Sequence, residues 1–150
     1  MVKNGNDSTH SIIEINIDRI RRFARIIGQK YQQIKSIYLF GSVARGDTDD
    51  KSDIDLLFLV YEEISGFYDI LSHDDDYRIF EDWALDKVEG GINPFVCDSE
   101  VLVRDFDTLV EKILLEGIKL YGKDIKELKN RLEQQKKKGN SNLLDLVRAL

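Results

Sequence analysis

Two aspartates, Asp53 and Asp55, stand one residue apart inside the otherwise apolar run 53–61. We predict that this run is a β-strand, in which residues two apart point to the same face of the sheet. Two carboxylates on one face repel each other, and a divalent cation between them removes the repulsion. Mg²⁺ in proteins is held by one or two carboxylates together with substrate phosphates and water. The pair therefore predicts a site for Mg²⁺ or Mn²⁺.

A second group of residues, just before the aspartates, has the features of a phosphate site. Gly41 and Ser42 follow the apolar segment 36–40 and precede residues 43–45, which can start a short helix. Glycine lets the backbone approach a ligand closely, and N–H groups at a helix start attract anions. The Ser42 hydroxyl can donate to a phosphate oxygen, and Arg45 is the third candidate nucleotide-binding residue. Together with the carboxylates they predict a metal–nucleoside triphosphate site.

Each feature alone has a simpler interpretation. A Gly-Ser pair after a strand is usually a turn, and an Asp-x-Asp pair is more often a solvent-facing strand end. Arg45 alone would be a surface residue or an ion-pair partner. All of them occur within 15 residues, between two apolar segments. It is this combination that favours chemistry over the simpler interpretations.

Composition restricts the class of protein. The 150 residues suit one domain, and no apolar run approaches the ~20 residues of a membrane span, so we expect no membrane contact. The polar first ten residues lack the apolar core of a secretory signal. The single cysteine, Cys97, excludes an internal disulfide and a cysteine-rich zinc site, and it favours a cytoplasmic location. The net charge of −6 argues against broad nucleic-acid binding.

Periodicity predicts the order α-β-β-α-β-α, a small mixed β-sheet flanked by helices, of α/β (α+β) class. Pro94 within the third strand predicts an edge position or an irregular stretch for that strand. The predicted helices are 12–33, 77–88 and 106–121, with a possible helix start at 43–45; the predicted strands are 36–40, 53–61 and 92–97; residues 62–76 are a loop or broken helix.

The chain divides into three predicted parts. Residues 1–11 are expected to be disordered, 12–122 to form the folded domain, and 123–150 to be a helical C-terminal extension. Residues 1–122 carry 24 acids and 14 bases, whereas residues 123–150 carry 4 acids and 8 bases. The extension has a thin apolar seam, which predicts docking on a partner protein or on a second copy of the chain. Its positive charge leaves RNA as a less favoured partner.

The spacing of these residues resembles a known signature. The pattern Gly41-Ser42-x-x-Arg45-Gly46-x5-Ser52-Asp53-Ile54-Asp55-Leu56-Leu57 resembles that of the nucleotidyltransferase superfamily that includes DNA polymerase β. More narrowly, it resembles the minimal nucleotidyltransferases, small prokaryotic proteins often encoded beside a HEPN-domain toxin as a toxin–antitoxin pair. Residues 116–122 resemble the closing helix of that family, so the resemblance covers 12–122.

The resemblance implies a nucleotidyltransferase fold and a mechanism. Asp53 and Asp55 would hold Mg²⁺ (or Mn²⁺), and Gly41 and Ser42 would hold the β- and γ-phosphates of ATP. An acceptor hydroxyl would attack the α-phosphorus in line, and pyrophosphate would leave. The implied reaction is AMP transfer from ATP to a tyrosine of a HEPN toxin, which makes the protein an antitoxin.

One part of the family pattern is missing. The superfamily has a third metal-binding carboxylate on the strand beside the aspartate strand, and residues 92–97 contain no acid. Asn93 occupies roughly that place, and Asp98 and Glu100 lie just beyond it, so these three are the candidates for the third ligand. Either one of the two acids completes the site, or catalysis is weak, or the protein is a non-catalytic nucleotide-binding antitoxin. A transferase acting on RNA or a small hydroxylated molecule is the further alternative.

Overall fold

The computed structural model describes residues 11–61, 66–98, 101–102 and 107–125. The predicted disordered segment falls almost wholly outside these ranges, as does most of the predicted C-terminal extension. Within them the chain forms five helices and four strands: α1 Ile17–Lys30, β1 Ile34–Phe40, α2 Gly41–Arg45, β2 Ile54–Val60, α3 Phe67–Ser72, α4 Asp75–Lys87, β3 Ile92–Asp98, α5 Asp107–Glu116 and β4 Ile118–Gly122. In these ranges no helix is long and apolar enough to cross a bilayer.

The four strands form one mixed sheet in the order β3-β2-β1-β4. β1 pairs antiparallel with β2 on one side and with β4 on the other, whereas β2 and β3 are parallel. The predicted fold class, a small mixed sheet flanked by helices, is confirmed. β3 lies at an edge, as Pro94 predicts, because an edge strand needs ladder donors on one side only.

The sheet is covered on both faces, which explains why β2 is apolar at almost every position. One face of β2 packs with residues of α1 and α4, and the other packs with residues of α5. The first face carries Ile54, Leu56, Phe58 and Val60; the second carries Leu57 and Leu59 with Tyr38 and Phe40 of β1. Alternation along β2 places Asp55 on the α5 side, opposite Ile54 and Leu56.

The first helix begins later than its apolar periodicity predicts. Asn16 is the N-cap of α1, and its side chain accepts a hydrogen bond from the backbone N–H of Arg19 at 3.2 Å. The residues from 11 to the cap have no regular secondary structure, and the N–H of Ile13 donates to the carbonyl of Thr48 at 2.9 Å. Apolar spacing cannot reveal such a boundary, because a capping side chain and a neighbouring loop decide it.

The predicted closing helix is wrong in its last third. α5 ends at Glu116, and residues 118–122 form β4, which pairs with β1 from Leu39 to Ser36. The helix pattern of 106–121 continues through this segment, but β1 has a free edge at that position. Pairing with β1 satisfies more backbone groups there than one further helical turn would, so tertiary context overrides the local pattern.

The start of the predicted extension belongs to the domain. Residues 123–125 are not helical, and the Ser36 hydroxyl donates to the carbonyl of Lys123 at 2.8 Å. The N–H of Ile125 donates to the Tyr38 hydroxyl at 2.9 Å, and the Ile125 side chain is 2% exposed. Ile125 therefore packs on its own domain instead of contributing to a partner-docking seam.

Asp74 joins α4 to α1. It is the N-cap of α4, where it accepts from the N–H of Tyr77 at 3.1 Å, and it also accepts from the Tyr31 hydroxyl at 2.6 Å and from Lys30 Nζ at 2.9 Å. We expect Asp74→Ala to lower the free energy of unfolding by about 1–2 kcal/mol, because it removes a cap and leaves the half-buried Tyr31 hydroxyl without its acceptor. Urea unfolding measures this loss.

Two further variants separate the cap from the inter-helix bonds. Asp74→Asn keeps an oxygen that can cap α4, but its amide replaces the charged carboxylate that accepts from Lys30 and Tyr31. It should therefore recover only part of the stability that Asp74→Ala loses. Asp75→Ala removes an exposed acid of the same first turn and should change the free energy of unfolding by no more than about 0.5 kcal/mol. Equal losses in the Asp74→Ala and Asp75→Ala variants would contradict this account of α4.

Candidate active site

The two aspartates lie at the point where β2 begins. The N–H of Ile54 donates to the carbonyl of Gly91 at 2.8 Å and starts the strand. Asp53 therefore precedes the strand instead of lying within it, and Asp55 is its second residue. Asp55 pairs with Phe40, the last residue of β1, in the antiparallel register. The carboxylates and the Gly41 turn are thus brought to the same end of the sheet.

Asn93 lies directly beside Asp55. The parallel register pairs the two residues, and Asn93 Nδ2 donates to Asp55 Oδ1 at 2.8 Å. Burial raises the pKa of Asp55 to about 6, the hydrogen bond from Asn93 opposes that rise in the pKa, and the neighbouring Asp53 carboxylate adds to it. Asp55 is therefore a carboxylate whose negative charge is poorly compensated by the protein.

Such a pair fits a divalent cation. Asp53 and Asp55 are both half-buried, and a cation between them would offset both the burial of Asp55 and the mutual repulsion. Their oxygens are hard ligands of the kind that Mg²⁺ and Mn²⁺ accept. In the described ranges no group of three or more His, Cys, Asp and Glu side chains could hold a metal ion. The described residues that meet at this position are the two aspartates and Asn93, whose amide nitrogen donates to Asp55.

The three candidates for a third ligand differ in position. Asn93 is in contact with Asp55, as described above. Asp98 is the last residue of β3, paired with Val60, so it lies five positions further along the strand, about 16 Å from Asn93. Its Oδ1 accepts from the N–H of Val101 at 2.8 Å. The structure does not bring Asp98 to the aspartates, and Glu100 lies outside the described residues.

Gly41 is in contact with Asp55. It has a φ of 75°, in the left-handed region that favours glycine, and a Cβ built there would overlap Asp55 Oδ2 and lie 3.0 Å from Asp55 Cγ. Sequence reasoning assigns the open space at Gly41 to phosphates. In the structure, the carboxylate of Asp55 lies in that space. Gly41 is thus needed for the position of the Asp55 carboxylate.

The N–H of Gly41 donates to a side chain that sequence reasoning does not place in the site. This is Glu116, the last residue of α5, whose Oε1 lies 3.1 Å from Gly41 N. Arg45 Nη1 donates to both carboxylate oxygens of Glu116 at 3.2 Å, and Arg45 Nε donates to Asp47 at 3.1 Å. Ser42 is half-buried in the first turn of α2. No signal near Gly41 in sequence reveals Glu116, which is 75 residues away.

A turn after α4 supports Asp53 from the other side. The N–H of Gly90 donates to the carbonyl of Ser52 at 3.0 Å, and the N–H of Glu89 donates to the carbonyl of Asp50 at 2.8 Å. A Cβ at Gly90 would lie 2.7 Å from Asp53 Cβ. In the sequence, a Gly-Gly pair after a helix indicates only that the helix ends there. The structure adds a second role, because only a glycine lets the turn pack this closely on Asp53.

A model of the nucleotidyltransferase domain family matches residues 20–139 of the chain. The chain belongs to the nucleotidyltransferase domain family. The match includes Gly41, Ser42, Arg45 and both aspartates, and it continues beyond residue 122, where sequence reasoning ends the domain. The family assignment rests on this match over most of the chain.

Among relatives, this nucleotidyltransferase is similar to a Methanocaldococcus jannaschii protein named "Putative protein adenylyltransferase MJ0128". The two are 47% identical over 45 residues, and this match covers 30% of the chain and 45% of the relative. It thus spans less than half the length of the curated relatives it matches. A crystal structure of a toxin–antitoxin with AMP-PNP is similar over 83% of this chain and 94% of that one, with a TM-score of 0.48 and 17% identity. A Shewanella oneidensis complex of a tri-AMPylated HEPN toxin with its MNT antitoxin is similar over 81% and 88%, with a TM-score of 0.37 and 17% identity.

Gly41 and Gly46 offer a matched pair of substitutions at the two ends of α2. Both have positive φ, 75° and 83°, but a Cβ at Gly46 meets nothing within 4 Å. Alanine at either position should cost about 1–2 kcal/mol of stability through backbone strain. We expect Gly41→Ala also to abolish Mg²⁺–ATP binding by displacing Asp55, whereas Gly46→Ala of this nucleotidyltransferase keeps it. Calorimetric titration with ATP and Mg²⁺ measures both, and equal affinity in the two variants would contradict the contact's role.

Asp55 should make the metal-free nucleotidyltransferase less stable as the pH rises. The pKa of Asp55 is about 6 in the folded protein and about 4 in an unfolded chain. Its contribution to the free energy of unfolding is therefore fully present below pH 4 and is lost as the pH rises through 6. We expect Asp55→Asn, in EDTA, to be more stable than the wild type above pH 6, with the difference vanishing near pH 4. Urea unfolding at several pH values measures this. The exposed Asp82→Asn is the control, and an equal pH response in both variants would refute the assignment.

Proposed function

We propose that this protein is a metal-dependent nucleotidyltransferase that transfers AMP from ATP to a hydroxyl acceptor, most favourably a tyrosine of a HEPN-domain toxin. The observation that carries the proposal is the meeting of Asp53, Asp55 and the Gly41 turn at one end of the sheet. A cation site and a phosphate site this close suit a nucleoside triphosphate, whose phosphates bind to both. The HEPN partner comes from the resemblance of the sequence motif.

Each residue has a role in this proposal. Asp53 and Asp55 hold Mg²⁺ or Mn²⁺, and Asn93 keeps Asp55 oriented through its hydrogen bond. Asn93 and Glu100 are the remaining candidates for the third ligand. The Gly41 N–H, the Ser42 hydroxyl and the Arg45 guanidinium are donors for the phosphates. When bound, the cation neutralises phosphate charge and favours attack at the α-phosphorus. The acceptor oxygen bonds to that phosphorus, the bond to the bridging oxygen breaks, and pyrophosphate leaves.

The chemistry at Asn93 favours a phenolic acceptor. An amide cannot take up the proton that the acceptor loses, so the protein supplies less help with deprotonation than a third carboxylate would. A tyrosine hydroxyl, with a pKa of about 10, loses its proton far more readily than a ribose or aliphatic hydroxyl. Among the acceptors considered, a tyrosine therefore needs the missing base least. A tyrosine of a protein is therefore a more favourable acceptor than an RNA end or a small hydroxylated molecule.

Asn93 also favours a second candidate, a nucleotide-binding antitoxin that does not transfer AMP. Two carboxylates and an amide can bind Mg²⁺ with ATP without supporting turnover. Neutralisation of the toxin would then come from binding alone. In either case we expect the protein to act in the cytoplasm, where ATP is present and the buried thiol of Cys97 stays reduced.

Labelled ATP tests the proposal. The protein is incubated with Mg²⁺, a HEPN-domain protein encoded beside it, and ATP labelled at either the α- or the γ-phosphate. We expect label from the α-phosphate alone on the toxin, with a mass increase of one AMP, and loss of labelling by at least about 100-fold in Asp53→Asn/Asp55→Asn. Asp82→Asn is the surface control.

The other possible outcomes of the labelling experiment distinguish the alternative functions. ATP binding without labelling of any acceptor would favour the non-catalytic antitoxin. Label on an added RNA oligonucleotide instead of the toxin would favour an RNA acceptor. If a toxin variant in which phenylalanine replaces every tyrosine still becomes labelled, tyrosine is excluded as the acceptor. Undiminished ATP affinity in the double aspartate variant would overturn the metal site itself.

A further inference from the structure

Two of the three donors assigned to the ATP phosphates, the Gly41 N–H and the Arg45 guanidinium, are bonded to a carboxylate of the protein itself. Gly41 N–H donates to Glu116 Oε1 at 3.1 Å, and Arg45 Nη1 donates to both oxygens of Glu116 at 3.2 Å. Lys112, one turn earlier on α5, places its Nζ 4.0 Å from Glu116 Oε1. The Glu116 carboxylate thus makes the contacts that a bound phosphate oxygen would make.

The elements on either side of Glu116 hold it at this position. It is the last residue of α5, and the N–H of Gly117 donates to the carbonyl of Ile113 at 2.8 Å, which closes the helix. The next residue, Ile118, already pairs with Leu39 of β1, two positions before Gly41. The Glu116 side chain is 20% exposed, so its carboxylate is largely screened from water.

Two anions cannot use the same donors at once. The Gly41 N–H is a single donor, and a phosphate placed beside an ionised Glu116 would be repelled by it at short range and low exposure. ATP must therefore either displace the carboxylate or bind without these donors. We propose that Glu116 is an internal competitor of the nucleotide, an autoinhibitory contact that the ATP phosphates displace from Gly41 and Arg45. This rests on the proposed function, because it takes Gly41 and Arg45 as phosphate donors.

The alternative role for Glu116 makes the opposite prediction. If Glu116 stayed in place and helped to hold the cation or the acceptor, removing its charge would weaken nucleotide binding or turnover. If it competes, removing its charge strengthens binding. The sign of the change in affinity therefore decides between the two roles.

The test compares Glu116→Gln with Glu111→Gln, which removes the same charge from an exposed position of the same helix. Two probes are titrated by calorimetry, Mg²⁺–ATP and inorganic tripolyphosphate. We expect Glu116→Gln to bind both on the order of tenfold more tightly than the wild type, since the charged competitor for the Gly41 and Arg45 donors is removed. Glu111→Gln should stay within about twofold of the wild type, in the range of an exposed charge.

Unchanged or weaker binding of tripolyphosphate by Glu116→Gln would overturn the competition. Thermal melting checks that the variant is folded, and Glu116→Ala, which has no polar group to retain the contact, must then show the same gain. If the wild type binds ATP and labels its acceptor but Glu116→Gln binds no more tightly, only the competition falls. If neither the wild type nor the Glu116→Gln variant binds ATP, but the variant gains affinity for tripolyphosphate, the competition stands and the proposed function falls.

Discussion

The central constraint in this molecule is the half-buried carboxylate of Asp55, held beside Asp53 at the start of a central strand. A carboxylate withdrawn from water and set next to another acid is unfavourable, as the raised pKa of Asp55 records. The fold keeps it there by surrounding it with elements that cannot move apart. β1 on one side and β3 on the other pair with β2 throughout, and helices cover both faces of the sheet.

Three residues are adapted to their contacts with the two aspartates. Gly41 has no side chain because Asp55 Oδ2 lies where its Cβ would be, and Gly90 has none because Asp53 lies against it. Asn93 donates a side-chain hydrogen bond to Asp55 Oδ1. These contacts position the carboxylates but leave their charge largely uncompensated, which is the condition under which a cation binds most strongly.

Glu116 adds a carboxylate beside Gly41 and Arg45, whereas Asn93 places an amide beside Asp55. In the proposed function, the amide on β3 leaves the substrate to complete the coordination of the cation and to release the acceptor's proton. The proposed phosphate donors Gly41 and Arg45 are held in place by Glu116. Under that proposal both features make the site dependent on its ligand, since a triphosphate brings its own charge and its own metal-binding oxygens.

The order of α1, α4 and the first three strands, the proximity of Gly41 to the aspartate pair, and the edge position of β3 follow from the sequence by itself. They depend on local properties: alternation of apolar residues, glycine where the backbone must be exposed, proline where a ladder donor is missing, and acids where an apolar strand should have none. The tertiary structure alone decided the positions of β4, Glu116 and Gly90. The pattern of residues 118–121 predicts helix, but in the fold residues 118–122 pair with the edge of β1. This pairing places Glu116, which is 75 residues from Gly41 in sequence, beside the Gly41 N–H. Asp98 and Asn93 look equally suitable in sequence, and the parallel register separates them, because a strand carries residues five positions apart to opposite ends of the sheet.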